Sequence, residues 1–244
     1  MTVRTERHDR VELVTLDRPE RRNALDHATI LELREVQERV ASAGLDAVRS
    51  VVLTGAAPAF CAGADLTGVE EGQFATDLGA MLRGFGQLGV PVIAAIDGPA
   101  LGAGTQLVVA CDLRIATPDS VLGIPAAKLG LVVDHWTVRR VAAEFSPSVA
   151  RAMLVAAETS TAEELHRSGG IHRLGDLAAA MEWAGRLASL APLTMQAHKV
   201  ALESEAVGID ASFEALRTAA WASADAEEGR TAFLDKRRPD FTGH

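Results

Sequence analysis

The sequence predicts an α/β protein that ends in a helical tail. Three observations carry this. Apolar runs of strand length at residues 11–16, 50–54 and 92–96 alternate with segments of helical periodicity. A turn of small residues follows each of the last two runs, and from Thr137 onward the pattern is almost entirely helical. Taken in order, Val11-Glu12-Leu13-Val14-Thr15-Leu16 alternates as a half-buried strand does, and an unusually basic stretch, residues 17–23, breaks it. Asp26 offers an N-cap to a helix whose apolar face is Ile30, Leu31, Leu33, Val36 and Val40 and which ends near Gly44. Residues 50–54 form the next strand, 70–88 a helix interrupted by glycines, and 92–96 a buried strand. Residues 103–110 read as a short buried helix, with short strands at 113–116 and 120–124. In the tail, Thr161 with Glu164 forms a capping box and Pro192 occupies the first helical position.

With 244 residues, 48% of them hydrophobic, the chain can bury a sizeable core in one unit. Its net charge of −9 argues against a nucleic-acid partner, which demands clustered cations. Cys61 and Cys111 lie in apolar or small-residue surroundings and suit buried thiols of a reducing compartment, although a bridge between them stays open. No basic-then-apolar opening and no long uncharged apolar run is present, so a cytoplasmic protein without a membrane span is expected. No His or Cys spacing fits a metal site.

The chemistry concentrates in the two turns, Phe60-Cys61-Ala62-Gly63-Ala64-Asp65-Leu66 and Gly98-Pro99-Ala100-Leu101-Gly102-Ala103-Gly104. Small residues and glycine let backbone approach a ligand closely and aim N–H groups at one oxygen, and the helix beginning after the second turn adds its positive dipole end. An oxyanion hole built from backbone donors, without a metal, is the expectation.

These turns, together with Asp17-Arg18-Pro19, Asn23-Ala24-Leu25, Cys111-Asp112, Pro125, Leu129-Gly130-Leu131 and the terminal Phe233-Leu234-Asp235-Lys236-Arg237-Arg238-Pro239, resemble the enoyl-CoA hydratase/isomerase (crotonase) family over essentially the whole chain. The resemblance implies a spiral of ββα units over residues 1–189, a C-terminal helical trimerisation region over residues 190–244, and a homotrimer or dimer of trimers. It implies a fatty acyl-CoA as ligand, with no cofactor beyond that thioester. The oxyanion donors would be the N–H groups of Ala64 and Ala103. Ala62 would lie against adenine, and the turn around Arg21, Arg22 and Ala24 would meet the phosphates and pantetheine. Asp65 and Leu66 would complete the binding turn, and Phe233 and Lys236 would reach the CoA of an adjoining subunit. Taken alone, Arg21 and Arg22 read as a solvated pair and Phe233 as ordinary helix packing.

The pattern also departs from the family. Its hydratases use two carboxylates, one to hold and deprotonate water and one to deliver a proton. The matching positions here are Gln106 and Ala126. An amide holds water but does not take its proton near neutral pH, and a methyl group does neither. Asp134, 31 residues after Ala103, stands at the offset of the carboxylate used by isomerases and dehalogenases of the superfamily. Among Val133 and Trp136 it is expected to be desolvated, as suits a general acid or base; it reads more readily still as the N-cap of the following helix, and one residue can do both. Trp136 and Val133 would line the acyl pocket. The combination resembles an actinobacterial subgroup tied to mycolic-acid synthesis, which implies acyl-CoA binding or delivery to fatty-acid synthesis enzymes with little hydration. An isomerase or other acyl-CoA enzyme using Asp134 is the alternative, and an active hydratase the third reading.

Overall fold

In the computed structural model, which describes residues 1–65, 71–204 and 210–244, alternation of strands and helices produces two sheets with crossover helices between them. The chain runs β1 (Val3–His8), β2 (Val11–Leu16), a 3-10 turn (Pro19–Arg21), α1 (His27–Ala47), β3 (Ser50–Gly55), α2 (Glu71–Gln87), β4 (Val92–Ile96), β5 (Ala100–Leu101) and α3 (Ala103–Ala110). It continues with β6 (Leu113–Ala116), β7 (Val121–Gly123), a second 3-10 turn (Pro125–Leu129), α4 (His135–Phe145), α5 (Pro147–Leu154), β8 (Thr159–Thr161), α6 (Ala162–Arg167) and β9 (Arg173–Leu174). The helices α7 (Leu177–Ala188), α8 (Pro192–Glu203), α9 (Ala211–Ala222) and α10 (Ala224–Leu234) close it.

The larger sheet has the order β1-β2-β3-β4-β6-β9, antiparallel in the first pair and parallel thereafter; the smaller is β5-β7-β8. Successive turns of chain place one strand in each sheet and then a helix, as in β4-β5-α3 and β6-β7-α4. This is the ββα spiral that the resemblance implied.

β2 is buried along its whole length rather than on one face. Val14 and Leu16 join the main core, while Val11 and Leu13 pack with Ala180, Trp183 and Ala184 of α7, so both faces are covered. β1 escaped the pattern because only Val3 is buried on this edge strand. In α1, Asp26 accepts a hydrogen bond from the Thr29 amide at 2.8 Å, and Ile30, Leu33, Val36 and Val40 are buried. Leu31 is exposed instead, because one residue past Ile30 turns it about 100° off that stripe. Gly44, at φ 71°, breaks the helix where expected. The helix expected over residues 70–88 is present over its described part, and α3 has the predicted bounds with all eight residues buried. The tail beyond Thr137 also contains β8 and β9, too short to show a period of two. The capping box at Thr161 and the proline start at Pro192 are both present.

Ion pairs fasten α8 to the core: its last residue, Glu203, meets Arg140 of α4 at 2.7 Å, and Lys199 reaches deeper. Lys199, 8% exposed, donates to Phe85 O (2.9 Å), Val90 O (3.0 Å) and Asp112 Oδ2 (2.7 Å). The chain end returns to β3, where buried Arg49 donates to Phe241 O and Thr242 O while Asp225 accepts from the Thr242 and Gly243 amides. Lys199→Met strands the Asp112 carboxylate and two carbonyls, so it is expected to lower stability by about 3 kcal/mol. A shifted urea midpoint at unchanged slope checks this.

Candidate functional site

The two turns meet backbone to backbone. Cys61 N donates to Pro99 O (3.1 Å) and Leu101 N to Cys61 O (2.9 Å), a parallel bridge between Cys61 and Ala100. On its other side the first turn bridges to Leu25, with Leu25 N donating to Gly63 O (2.8 Å) and Asp65 N to Leu25 O (2.7 Å). In such a bridge the N–H of the bridged residue, Ala64, points away from its partner strand. Ala103 opens α3, so its N–H has no carbonyl one turn back. The approach depends on glycine. Gly63 adopts φ 122°, and a Cβ on it would sit 3.2 Å from Leu101 O; a Cβ on Gly104 would sit 2.2 Å from Cys61 O. Two N–H groups without an intramolecular acceptor among the described residues therefore stand on adjoining turns, with the positive end of buried α3 behind one of them.

The basic stretch braces the first turn. Asn23, 1% exposed, accepts from Arg18 N (2.9 Å) and donates to Ala56 O and Ala59 O (2.7 Å each), tying the 3-10 turn to the loop before Phe60. Ala62 N donates to Arg22 O at 2.9 Å. Arg18 pairs with Asp65 (3.3 Å) and Asp26 (3.1 Å) and donates to Ala24 O, and Arg21 reaches Asp65 at 3.0 Å. Burial by itself raises the Asp26 carboxyl, but the Thr29 hydroxyl and amide and the Arg18 guanidinium outweigh it and hold it below its ordinary value. Of the predicted contacts, Arg21, Arg22, Ala24, Ala62 and Asp65 are thus gathered at one place; Arg22 is exposed and Ala24 half-buried. Leu66 lies outside the described residues.

On the far side of α3, Gln106 is 5% exposed and its Nε2 donates to Thr137 Oγ1 at 3.1 Å. Thr137 is fully buried, and its amide is capped by Asp134 Oδ1 at 3.0 Å. Asp134 is not desolvated as expected. Its side chain is 46% exposed and its Oδ2 lies 3.5 Å from Arg83 of α2, because the start of α4 faces outward there. Val133 and Trp136 are half-buried against the main core, as is Ala126. Sequence alone marks neither Thr137 nor Arg83 as functional, and Asn23 only as part of Asn23-Ala24-Leu25.

Both cysteines are buried and free, and burial pushes each thiol up to about 12. Phe233 is 82% exposed, on a groove of about 620 Å³ lined by α8, α9 and α10 that also holds Trp221 and Arg217; Lys236 is exposed beyond it. Among the described residues, no contact within this chain brings either to the turns. Among the described residues no group of three His, Cys, Asp or Glu side chains could hold a metal, and no helix is long and apolar enough to cross a membrane.

A ββα spiral whose two glycine-bearing turns are bridged backbone to backbone defines a protein of the crotonase fold. The enoyl-CoA hydratase from Bacillus anthracis superposes with a TM-score of 0.89 at 28% identity, covering 100% of both chains. Enoyl-CoA hydratase EchA1 from Mycobacterium marinum does so at 0.85 and 32%, again over 100% of both. The enoyl-CoA hydratase/isomerase family model matches residues 6–244, and the chain belongs to that family. Among its relatives, the probable enoyl-CoA hydratase echA6 of Mycobacterium tuberculosis is 41% identical over 236 residues, covering 94% of this chain and 95% of the relative. The 2,3-dehydroadipyl-CoA hydratase of Escherichia coli is 36% identical over 252 residues, covering 97% of each.

Asn23→Ala leaves the half-buried Arg18 amide and Ala56 carbonyl and the buried Ala59 carbonyl without this partner beside the first turn, and is expected to cost about 2 kcal/mol, read from urea unfolding. A thiol reagent such as DTNB at pH 8 should label neither cysteine in the folded chain and both after denaturation, since the thiolates form far above that pH; rapid labelling of the native protein would contradict the burial.

Proposed function

We propose that this protein binds the thioester of a fatty acyl-CoA, receiving its carbonyl oxygen on the N–H groups of Ala64 and Ala103, and hydrates it far more slowly than the family's hydratases. The observation that carries this reading is the replacement of proton-moving groups beside the hole. Gln106 is a neutral amide tied to Thr137, and Ala126 offers only a methyl group. Two preorganised amides stabilise negative charge on an oxygen by about 3 kcal/mol each in a water-poor site. Each missing general acid or base removes about 10²–10⁴ in rate. What remains favours holding a thioester over transforming it. The relatives' names point to hydration, and the reading parts from them on these two side chains.

In this reading Arg22 and the exposed edge of Arg21 meet CoA phosphates, Ala24 and Ala62 leave room for pantetheine and adenine, and Val133 and Trp136 face the acyl chain. The apolar α8–α10 face supports packing against a neighbouring subunit in a trimer or dimer of trimers, from which Phe233 and Lys236 would reach CoA. Delivery of the bound acyl group to fatty-acid synthesis enzymes in the cytoplasm follows as the role of such a carrier.

A second reading, an isomerase using Asp134, draws on that carboxylate's place one residue contact from Gln106. Weighing against it, Oδ1 is engaged by the Thr137 amide and Oδ2 faces Arg83. An Asp134→Asn variant that loses a measurable double-bond isomerisation would favour it.

Hydration of crotonyl- and dodecenoyl-CoA is expected below about 0.1 s⁻¹, against about 10 s⁻¹ for an ordinary enzyme, while calorimetry shows saturable palmitoyl-CoA binding. Joint Gln106→Glu and Ala126→Glu substitution should raise hydration by about 10²-fold. Ordinary hydratase turnover by the unaltered chain overturns the reading.

A further inference from the structure

Two helices flank α3, with little direct packing between them. α2 and α4 both pack on α3. α4 is fixed there by Gln106 on Thr137 and by Arg140 Nε donating to Val109 O at 2.8 Å. α2 is fixed instead to α1, where Gln37 Nε2 donates to Met81 O (2.7 Å) and Asp77 holds both His27 (2.8 Å) and Arg34 (3.1 Å). Across the gap runs the ion pair of Arg83 with Asp134 at 3.5 Å, its side chains 45% and 46% exposed. Val133 and Trp136 flank it on the α4 side as half-buried apolar residues packed on the core.

The pair has a built seat. The Arg83 guanidinium lies back over Gly79, one turn earlier in α2: a Cβ at that position would stand 3.1 Å from Nη2 and 3.2 Å from Nη1. A glycine inside a helix is unfavourable on propensity alone. Here it supplies the room that lets the guanidinium lie along the helix surface and reach α4. Asp134, for its part, is held in place by capping Thr137 through its other oxygen.

We propose that Arg83, seated on Gly79, and Asp134 form a clasp over the cleft between α2 and α4, and that this clasp sets acyl chain length. The inference rests on the thioester-binding reading. With the carbonyl at Ala103, at the head of α3, an acyl chain that runs along α3 past Gln106 meets the gap between the flanking helices within a few carbons. A short chain ends before the clasp. A long chain must part it, and since both helices are anchored elsewhere, the Arg83 side chain is what moves. Arg83 is therefore a specificity-determining residue, and the charge of Asp134 serves the clasp rather than proton transfer.

Calorimetry with butyryl-CoA and palmitoyl-CoA tests this, using the ratio of the two affinities so that contacts to CoA itself cancel. Arg83→Gln should tighten palmitoyl-CoA by about threefold, the scale of an exposed ion pair, and leave butyryl-CoA unchanged. Gly79→Ala, which crowds the guanidinium while favouring the helix, should do the same in a protein of equal or higher Tm. In an Asp134→Asn background, which keeps the cap acceptor but not the charge, Arg83→Gln should have no further effect. Rising ionic strength should move the wild-type ratio toward that of Arg83→Gln. Equal changes for both ligands, or an unchanged ratio in Arg83→Gln, overturns the clasp while leaving thioester binding intact; absence of saturable binding of either ligand to the wild type overturns both.

Discussion

The site depends on bringing two stretches of backbone, at the ends of different strands, to within hydrogen-bonding distance. Cys61 exchanges bonds with Pro99 and Leu101, and this contact sets where Ala64 and Ala103 can stand relative to each other. It admits no side chain in between: a Cβ on Gly104 would overlap the Cys61 carbonyl, and Gly63 takes a φ that other residues rarely adopt. Parallel pairing of β3 with β4 delivers both turns to the same end of the sheet, so the topology and the glycines act on one constraint.

That constraint leaves polar groups to be satisfied around it, and the preceding basic stretch does so. Asn23 takes up two carbonyls and one amide, while Arg18 spans Asp26 and Asp65. The turn is thereby held by charges that mostly cancel one another. Among the described residues every buried side-chain polar atom has a partner, which is what a preorganised site requires.

Much of this was legible in the sequence because it is local. The strands at 50–54 and 92–96, the eight residues of α3, the Asp26 and Asp134 caps and both turns are each signalled by residues within a few positions of one another. The parts that escaped are those decided by distant chain. β1 is an edge strand with one buried side chain, β8 and β9 are recruited by neighbours in the sheets, and β2 is covered on its second face by α7. In the site the same division holds. Nothing near Arg83 in sequence announces Asp134, fifty-one residues later, and so the exposure and pairing of that carboxylate could be read only from the fold.

The same pairing bears on what the turns can be used for. A carboxylate that acts on a ligand needs an oxygen free to approach it, and Asp134 already presents one oxygen to the start of α4 and the other to Arg83. Releasing the first uncaps a helix; releasing the second opens the gap between α2 and α4. On the proposed reading these are useful in different ways, since a cap keeps Thr137 and Gln106 in register with α3, whereas an exposed ion pair can open and close at little energetic cost. If the two turns receive a thioester oxygen as proposed, that recognition is electrostatic and needs neither oxygen of Asp134, which leaves the carboxylate to its cap and its ion pair.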